Sequence, residues 1–428
     1  MSAPRPWSGR SHDELAELVR ELLLAGHLID RAGMPAVISH LGPESMGDVA
    51  IGEWMAASPI YTKRMQRLLD FEGDTVDVIF KGIQFDVGAP LEFLDFRMQV
   101  DDDHHGRFHL DHCGALMDVE PMGDEYVRTM CHDIEDPTFD ATAIATNPRA
   151  RIRPVHRPPR VPADRTPHCE WTVTIDDAHE PLPIPERSAD LQTTSRVAQI
   201  PLAEPDPSLS ADDGATDYAD RFDPDLALER FSSSTLAAIA DEIALQAHLL
   251  TRAFLVEVAD RSPDRVEVVG AQQAAGINGL TTKRLAAALG APATVDGLAR
   301  VLRVHPLFLP RSYVSVDLAA THDALTVSLH PCAGLDEDDG LSWPGLLAGP
   351  HGDDILWATV MCLVPTAQLA RIESTGDAVV AWSVTDDPDA GPADQPDAVT
   401  LTEFSTGASF EFQRGGGGQP VDVSVAPS

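Results

Sequence analysis

An α+β chain built from two homologous domains is what this sequence predicts. Each domain should carry N-terminal helices and a mainly antiparallel sheet, and the two should pack as a pseudo-dimer. Three observations lead there. With 428 residues the chain exceeds one ordinary hydrophobic core. Hydrophobic residues make up 43% of it, enough to fill two. Above all, short segments recur in the same order, as an internal duplication requires.

The repeat can be followed by eye. His27-Leu28-Ile29-Asp30-Arg31-Ala32 returns 221 positions later as His248-Leu249-Leu250-Thr251-Arg252-Ala253. Thr62-Lys63-Arg64-Met65 returns as Thr282-Lys283-Arg284-Leu285, and Val76-Asp77 as Val295-Asp296. Leu110-Asp111-His112-Cys113 is answered by Leu329-His330-Pro331-Cys332, and Met130-Cys131 by Met361-Cys362. Trp171-Thr172-Val173-Thr174 is answered by Trp382-Ser383-Val384-Thr385. The copies span 11–178 and 232–388. Between them, 179–231 is rich in Pro, Asp, Glu, Ser and Ala and reads as a largely disordered acidic linker. Beyond the second copy, 389–428 reads as a flexible tail, with a hairpin at Val399–Phe412 ahead of Gly415 to Gly418.

Within the first copy, Ser11 and Glu14 form a capping box before a helix over 12–32, where Leu15, Leu18, Val19, Leu22 and Ile29 keep helical spacing. A second helical stretch runs from about Met46 to Leu69. Partial alternation predicts strands at Thr75–Phe80, Leu91–Val100 and Arg107–Asp111.

Charge removes whole classes of partner. Lys plus Arg number 31 against 68 Asp plus Glu, a net charge of -37, which repels phosphate backbones and anionic lipid. No apolar run reaches the roughly 18 residues that a membrane span needs. Met1 to Asp13 holds no apolar signal core, so the expected location is cytoplasmic. The five cysteines are too few for a disulfide scaffold in a chain of this size, which makes them buried, catalytic or metal-bound thiols.

Chemistry-bearing residues concentrate in 104–136. His104, His105, His109 and His112 precede Cys113, and Cys131-His132-Asp133-Ile134-Glu135 follows after a short loop. The second copy has Cys362-Leu363-Val364-Pro365-Thr366 at the latter place, so the first copy is expected to hold the site and the second to complete the pseudo-dimer. A thiol is activated as thiolate by a neighbouring imidazolium. Adjacent strand residues face opposite ways, so cross pairs such as Cys113 with His132 or Cys131 with His109 fit better than sequence neighbours. On an extended segment Asp133 and Glu135 would share a face, suited to an amidinium or an imidazole. Arg151 and Arg153 share parity on a strand and are the candidates for binding a substrate carboxylate. Arg157, Arg160 and Arg165 fit equally well as neutralisers of the chain's own acids. Zinc or iron is the competing explanation: Cys113, Cys131 and Cys169 with His112 make up a ligand set of a kind zinc favours. Phosphate-binding, nucleophile-elbow and dinucleotide glycine patterns are absent.

The order Cys113, Gly123, Cys131 with nearby carboxylates, Asn147-Pro148, an Arg-bearing strand and His168-Cys169-Glu170-Trp171 resembles the L-2-amino-thiazoline-4-carboxylic acid hydrolase family. The likeness covers about 70–176, and loosely the helices before it. It departs where the family has a carboxylate three residues after the second Cys, since Ile134 stands there, flanked by Asp133 and Glu135. The resemblance implies a hydrolase opening a small C–N-containing ring or amide. Cys113, Cys131 and Cys169 would form its core, His109, His112 and His132 its proton carriers, and Asp133 and Glu135 its carboxylates. The alternatives are a non-catalytic metal- or small-ligand-binding protein and a pseudoenzyme scaffold whose acidic linker recruits partners. In each reading the partner of the site is a small molecule, and the chain is a monomeric pseudo-dimer or a homo-oligomer.

Overall fold

The structure is a computed structural model that describes residues 5–206, 208–209, 212–321 and 323–413. The fold is α+β, with two four-stranded antiparallel sheets. Helix α1 (His12–His27) begins at the expected capping box: Ser11 Oγ accepts from Glu14 N at 3.2 Å, and Glu14 Oε2 accepts from Ser11 N at 2.8 Å. The helix expected over 12–32 breaks at Leu28, and α2 (Ile29–Leu41) continues with Pro35 inside it. Proline has no N–H to give and crowds the carbonyl four residues back, so a bent helix follows. Helix α3 (Glu44–Leu68) matches the second helical stretch.

Next comes α4 (Val76–Ile83), where a strand was expected at Thr75–Phe80. Alternation misleads here because the segment is buried on nearly every side, Val76, Val78, Ile79 and Phe80 alike. Strands β1 (Leu94–Asp102) and β2 (His105–Cys113) lead into α5 (Gly114–Val119) and α6 (Asp124–Arg128). A π-helical turn, Thr129–Ile134, then passes into α7 (Glu135–Ile144). Strands β3 (Ala150–His156) and β4 (Cys169–Ile175) complete a sheet of order β1-β2-β4-β3. Helices α4 and α7 pack on it.

Among its described residues the expected linker forms helices and packs on the helical layer, contrary to its composition. Helices α8 (Glu186–Thr194) and α9 (Arg196–Gln199) lie in it, α8 packing on α3. Sparse apolar anchors hold the segment down: Leu191, Val197, Tyr218 and Phe231 are buried. The Lys81 ammonium donates to the Tyr218 and Asp220 carbonyls at 3.2 and 2.6 Å. A few well-placed large side chains therefore outweigh an average composition that predicts disorder.

The second half opens with α10 (Ser233–Arg261), unbroken over 29 residues, then α11 (Val266–Ala288) and α12 (Val295–Leu302). Strands β5 (Val316–Ala320) and β6 (Ala324–Leu329), helices α13 (Trp343–Ala348) and α14 (Gly352–Met361), and strands β7 (Ala367–Ile372) and β8 (Val380–Asp386) follow. Their sheet runs β5-β6-β8-β7, the order of the first. Where a hairpin was expected at Val399–Phe412, α15 (Asp397–Thr402) packs on α11 and α2. The remainder of the expected tail, 414–428, lies outside the described residues.

Helices of the two halves interlock, with α10 on α1 and α3 and α11 on α1 and α2. Two buried, bidentate ion pairs cross between them. Arg64 donates to Glu242 at 2.7 and 2.8 Å, and Arg284 donates to Glu21 at 2.7 and 2.9 Å. The pairs are reciprocal: the arginine of each half meets the glutamate of the other. Among the described residues, no helix is long and apolar enough to cross a membrane.

Candidate functional site

A cavity of about 670 Å³ opens in the first half, between α2, α3, the sheet, the run from α5 to α7, and the C-terminal segment after α15. Most of its lining is apolar, from Met34, Met46 and Trp54 to Phe96, Phe139 and Trp171. At the rim Met122 and Phe404 are 51% and 79% exposed, which marks the mouth.

One wall holds part of the expected chemistry. Cys113 ends β2 and caps α5, its Sγ accepting from Leu116 N at 3.3 Å. Cys169 begins β4 and also lines the cavity. Cys131, in the π-helical turn, is buried behind that wall and is not part of the lining. Burial and the nearby Glu135 push the Cys113 thiol up to about 12, and raise Cys131 and Cys169 well above the ordinary thiol range. Glu135, at the start of α7, faces the cavity; burial lifts it to about 8, against the pull of Arg157.

The expected imidazoles lie elsewhere. His109 is on the outer face of β2, 3.5 Å from Asp111. His112 stands beside His168, ring centroids 6.3 Å apart, and burial lowers its pKa. His132 bonds the Pro158 carbonyl at 2.7 Å. No Cys–His pair of the expected kind forms, because alternation along β2 turns His109 outward while Leu110 goes inward. Asp133 and Glu135 do not share a face. Their segment is helical, so two positions carry Asp133 to the exposed side and Glu135 to the cavity. Arg151 is spent on backbone carbonyls, at 2.7 Å from that of Ala150 and also on that of Glu180, and Arg153 forks onto Asp140 at 2.8 and 2.9 Å. Neither lines the cavity. Arg157 pairs with Asp136 and Arg160 with Glu120, neutralising the chain's own acids.

Among the described residues, no three His, Cys, Asp or Glu side chains are grouped so as to hold a metal ion. The expected set of Cys113, Cys131, Cys169 and His112 is not assembled, since His112 turns to His168 and not to the thiols.

Several cavity residues carried no warning in the local sequence: His27, Asp30 and Arg31 from the broken helix, Ser58 and Tyr61 from α3, Asp86 after α4, and Asp118 from α5. Trp54 Nε1 donates to Asp30 Oδ2 at 2.8 Å, and the Tyr61 hydroxyl to Asp86 Oδ1 at 2.7 Å. Burial raises Asp86 to about 6 and lowers His27 to about 3. Asp118 forms an ion pair with Arg31, Nε to Oδ2 3.1 Å, and accepts from Ser405 Oγ at 2.6 Å and from Thr406 N at 2.7 Å, fastening the C-terminal segment over the cavity. A signal did exist in the recurring segments: Asp30 stands 221 positions before Thr251 and Glu53 220 positions before Gln273, acids against neutral residues. No known protein family, curated protein or solved structure matches this chain.

Proposed function

We propose that this protein binds a small, largely apolar organic molecule in the first-half cavity. The observation behind this reading is the cavity itself. Its volume of about 670 Å³ lies within the roughly 300–1,000 Å³ usual for ligand sites, and its apolar wall is interrupted by a few convergent polar groups. Saturation of N-phenyl-1-naphthylamine fluorescence by the protein, abolished by Ala50→Trp with the circular-dichroism spectrum unchanged, is the expected result. Ala50 lines the wall, so an indole there takes up the space. Absence of saturable binding by the unsubstituted protein would sink the proposal.

A hydrolase of small C–N-containing rings or amides is the second reading, and Glu135 favours it. A carboxyl titrating near 8 at the cavity wall suits general acid–base work. A thiolate nucleophile is less favoured, because burial raises all three thiols. Cyclic amidines bearing a carboxylate are the first substrates to assay. Turnover lost in Glu135→Gln would establish this reading, and no turnover by the unsubstituted protein would remove it.

The halves we take to be copies of one ancestral unit, packed as a pseudo-dimer. The shared strand order and the reciprocal Arg64–Glu242 and Arg284–Glu21 pairs support this. Five unpaired thiols suit a reducing, cytoplasmic setting. The net charge of -37 argues against nucleic-acid partners.

A further inference from the structure

At the inner end of the cavity, carboxyl groups gather without cations. Asp30 uses Oδ2 for Trp54, while no N–H or hydroxyl donates to its buried Oδ1 among the described residues. Asp86 takes both the Tyr61 hydroxyl and Gly88 N on Oδ1, each at 2.7 Å, which leaves Oδ2 uncommitted. Glu53, wholly buried, stands within hydrogen-bonding reach of Asp30, and burial together with that neighbour raises its carboxyl well above the ordinary range. Ser58, 1% exposed, lines the same space, and its Oγ has no partner among the described residues.

Neither basic side chain on this part of the wall answers those carboxyls. The Arg31 guanidinium is ion-paired to Asp118, Nε to Oδ2 3.1 Å, and its Nη2 meets Met130 Sδ. His27 is kept neutral by burial. Carboxylates removed from water need a cation or a proton. No three of them are grouped to hold a metal ion.

We propose that the ligand is a hydrophobic amine, its ammonium group seated among Asp30, Asp86 and Ser58 and its apolar body lying against Met34, Trp54 and Phe96. This rests on the cavity being a binding site. An ammonium brings compact N–H donors, which suit the free oxygens of Asp30, Asp86 and Ser58. An aromatic wall at Trp54 and Tyr61 also favours a cation beside it. A ligand carrying a carboxylate would meet acids of its own sign, with Arg31 already engaged.

The test is a size-matched series, 4-phenylbutylamine, 4-phenylbutanol and 4-phenylbutyrate, titrated calorimetrically into the full chain at neutral pH. We expect the amine to bind about ten-fold or more tightly than the alcohol, and the acid most weakly. Asp30→Asn and Asp86→Asn, each nearly isosteric, should erase most of that preference. Alcohol or acid binding as tightly as the amine, with the naphthylamine probe still bound, overturns the amine assignment and leaves the cavity reading standing. Failure of every ligand, probe included, overturns both. The wild-type series decides the matter even where a variant does not fold.

Discussion

The two halves share a strand order, yet the cavity of about 670 Å³ lies in the first, whereas the space beside Asp241, Glu242 and Arg311 of the second is about 200 Å³. His27 and His248 stand at corresponding places and meet the same kind of neighbour, Phe93 at 5.5 Å and Tyr313 at 4.9 Å between ring centroids. Around His248 the space is filled. Trp343 packs on it at 4.9 Å, and the carbonyls of Pro306 and Leu309 take its Nε2 at 3.0 and 2.8 Å. Around His27 the side chains stop short and the cavity begins. Arg31–Asp118 likewise corresponds to Arg252–Glu337. The segment after each sheet reaches to the other half, Ser195 to Glu337 and Thr406 to Asp118. In the second half this strap is buried at Ser195 and Val197; in the first it leaves Phe404 in the open. Helix α10 is continuous, whereas its counterpart breaks into α1 and α2 at the cavity's edge. The fold itself therefore does not demand the cavity, which comes from a bent helix and a handful of smaller or polar side chains.

That contrast can be broken at several strengths. The shared interlock should fail first and equally from either side. Arg64→Ala and Arg284→Ala each strand a buried glutamate, and each should cost about 3–5 kcal/mol in urea unfolding. Costs differing by more than about 2 kcal/mol would mean that the two contacts are not equivalent. Trp343→Ala should cost about 3–5 kcal/mol by emptying a packed site. Trp54→Ala should cost less than about 2 kcal/mol, because that ring already borders open space, and should abolish naphthylamine binding. Equal thermal shifts for the two tryptophans would contradict a hollow first half.

Glu135 offers a pH test of the same asymmetry. The folded state holds its proton near 8, against an ordinary value of 4.5. Its contribution to stability is thus complete below about pH 4.5 and lost as pH rises through about 8. Denaturant midpoints should fall across that window, and Glu135→Gln should flatten the decline. An unchanged slope would place Glu135 in water. The smallest effect belongs to Met122→Trp, which puts at the rim the residue found 221 positions later, Trp343. Stability should move by less than about 0.5 kcal/mol at so exposed a site, while probe association slows several-fold in stopped-flow traces.

Local features were legible because neighbours in sequence make them. The Ser11–Glu14 box is complete within four residues, and β2 alternates as its pattern requires. The α4 segment was misread, since burial on nearly all sides erases the difference between periods of two and 3.6 residues. The 179–231 stretch was misread because composition averages over the few anchors that order it. Of the expected site, Cys113, Cys169 and Glu135 reach the cavity, while the histidines and arginines found other partners.

By itself, then, the sequence determined the α+β class, the repeated order of segments and the concentration of thiols near one wall. All of these are written in patterns of a few consecutive residues. Only the tertiary structure decided which groups face the cavity. Asp30, Ser58, Asp86 and Asp118 come from four separate elements, and their meeting depends on a helix bend and long-range packing that no local pattern encodes.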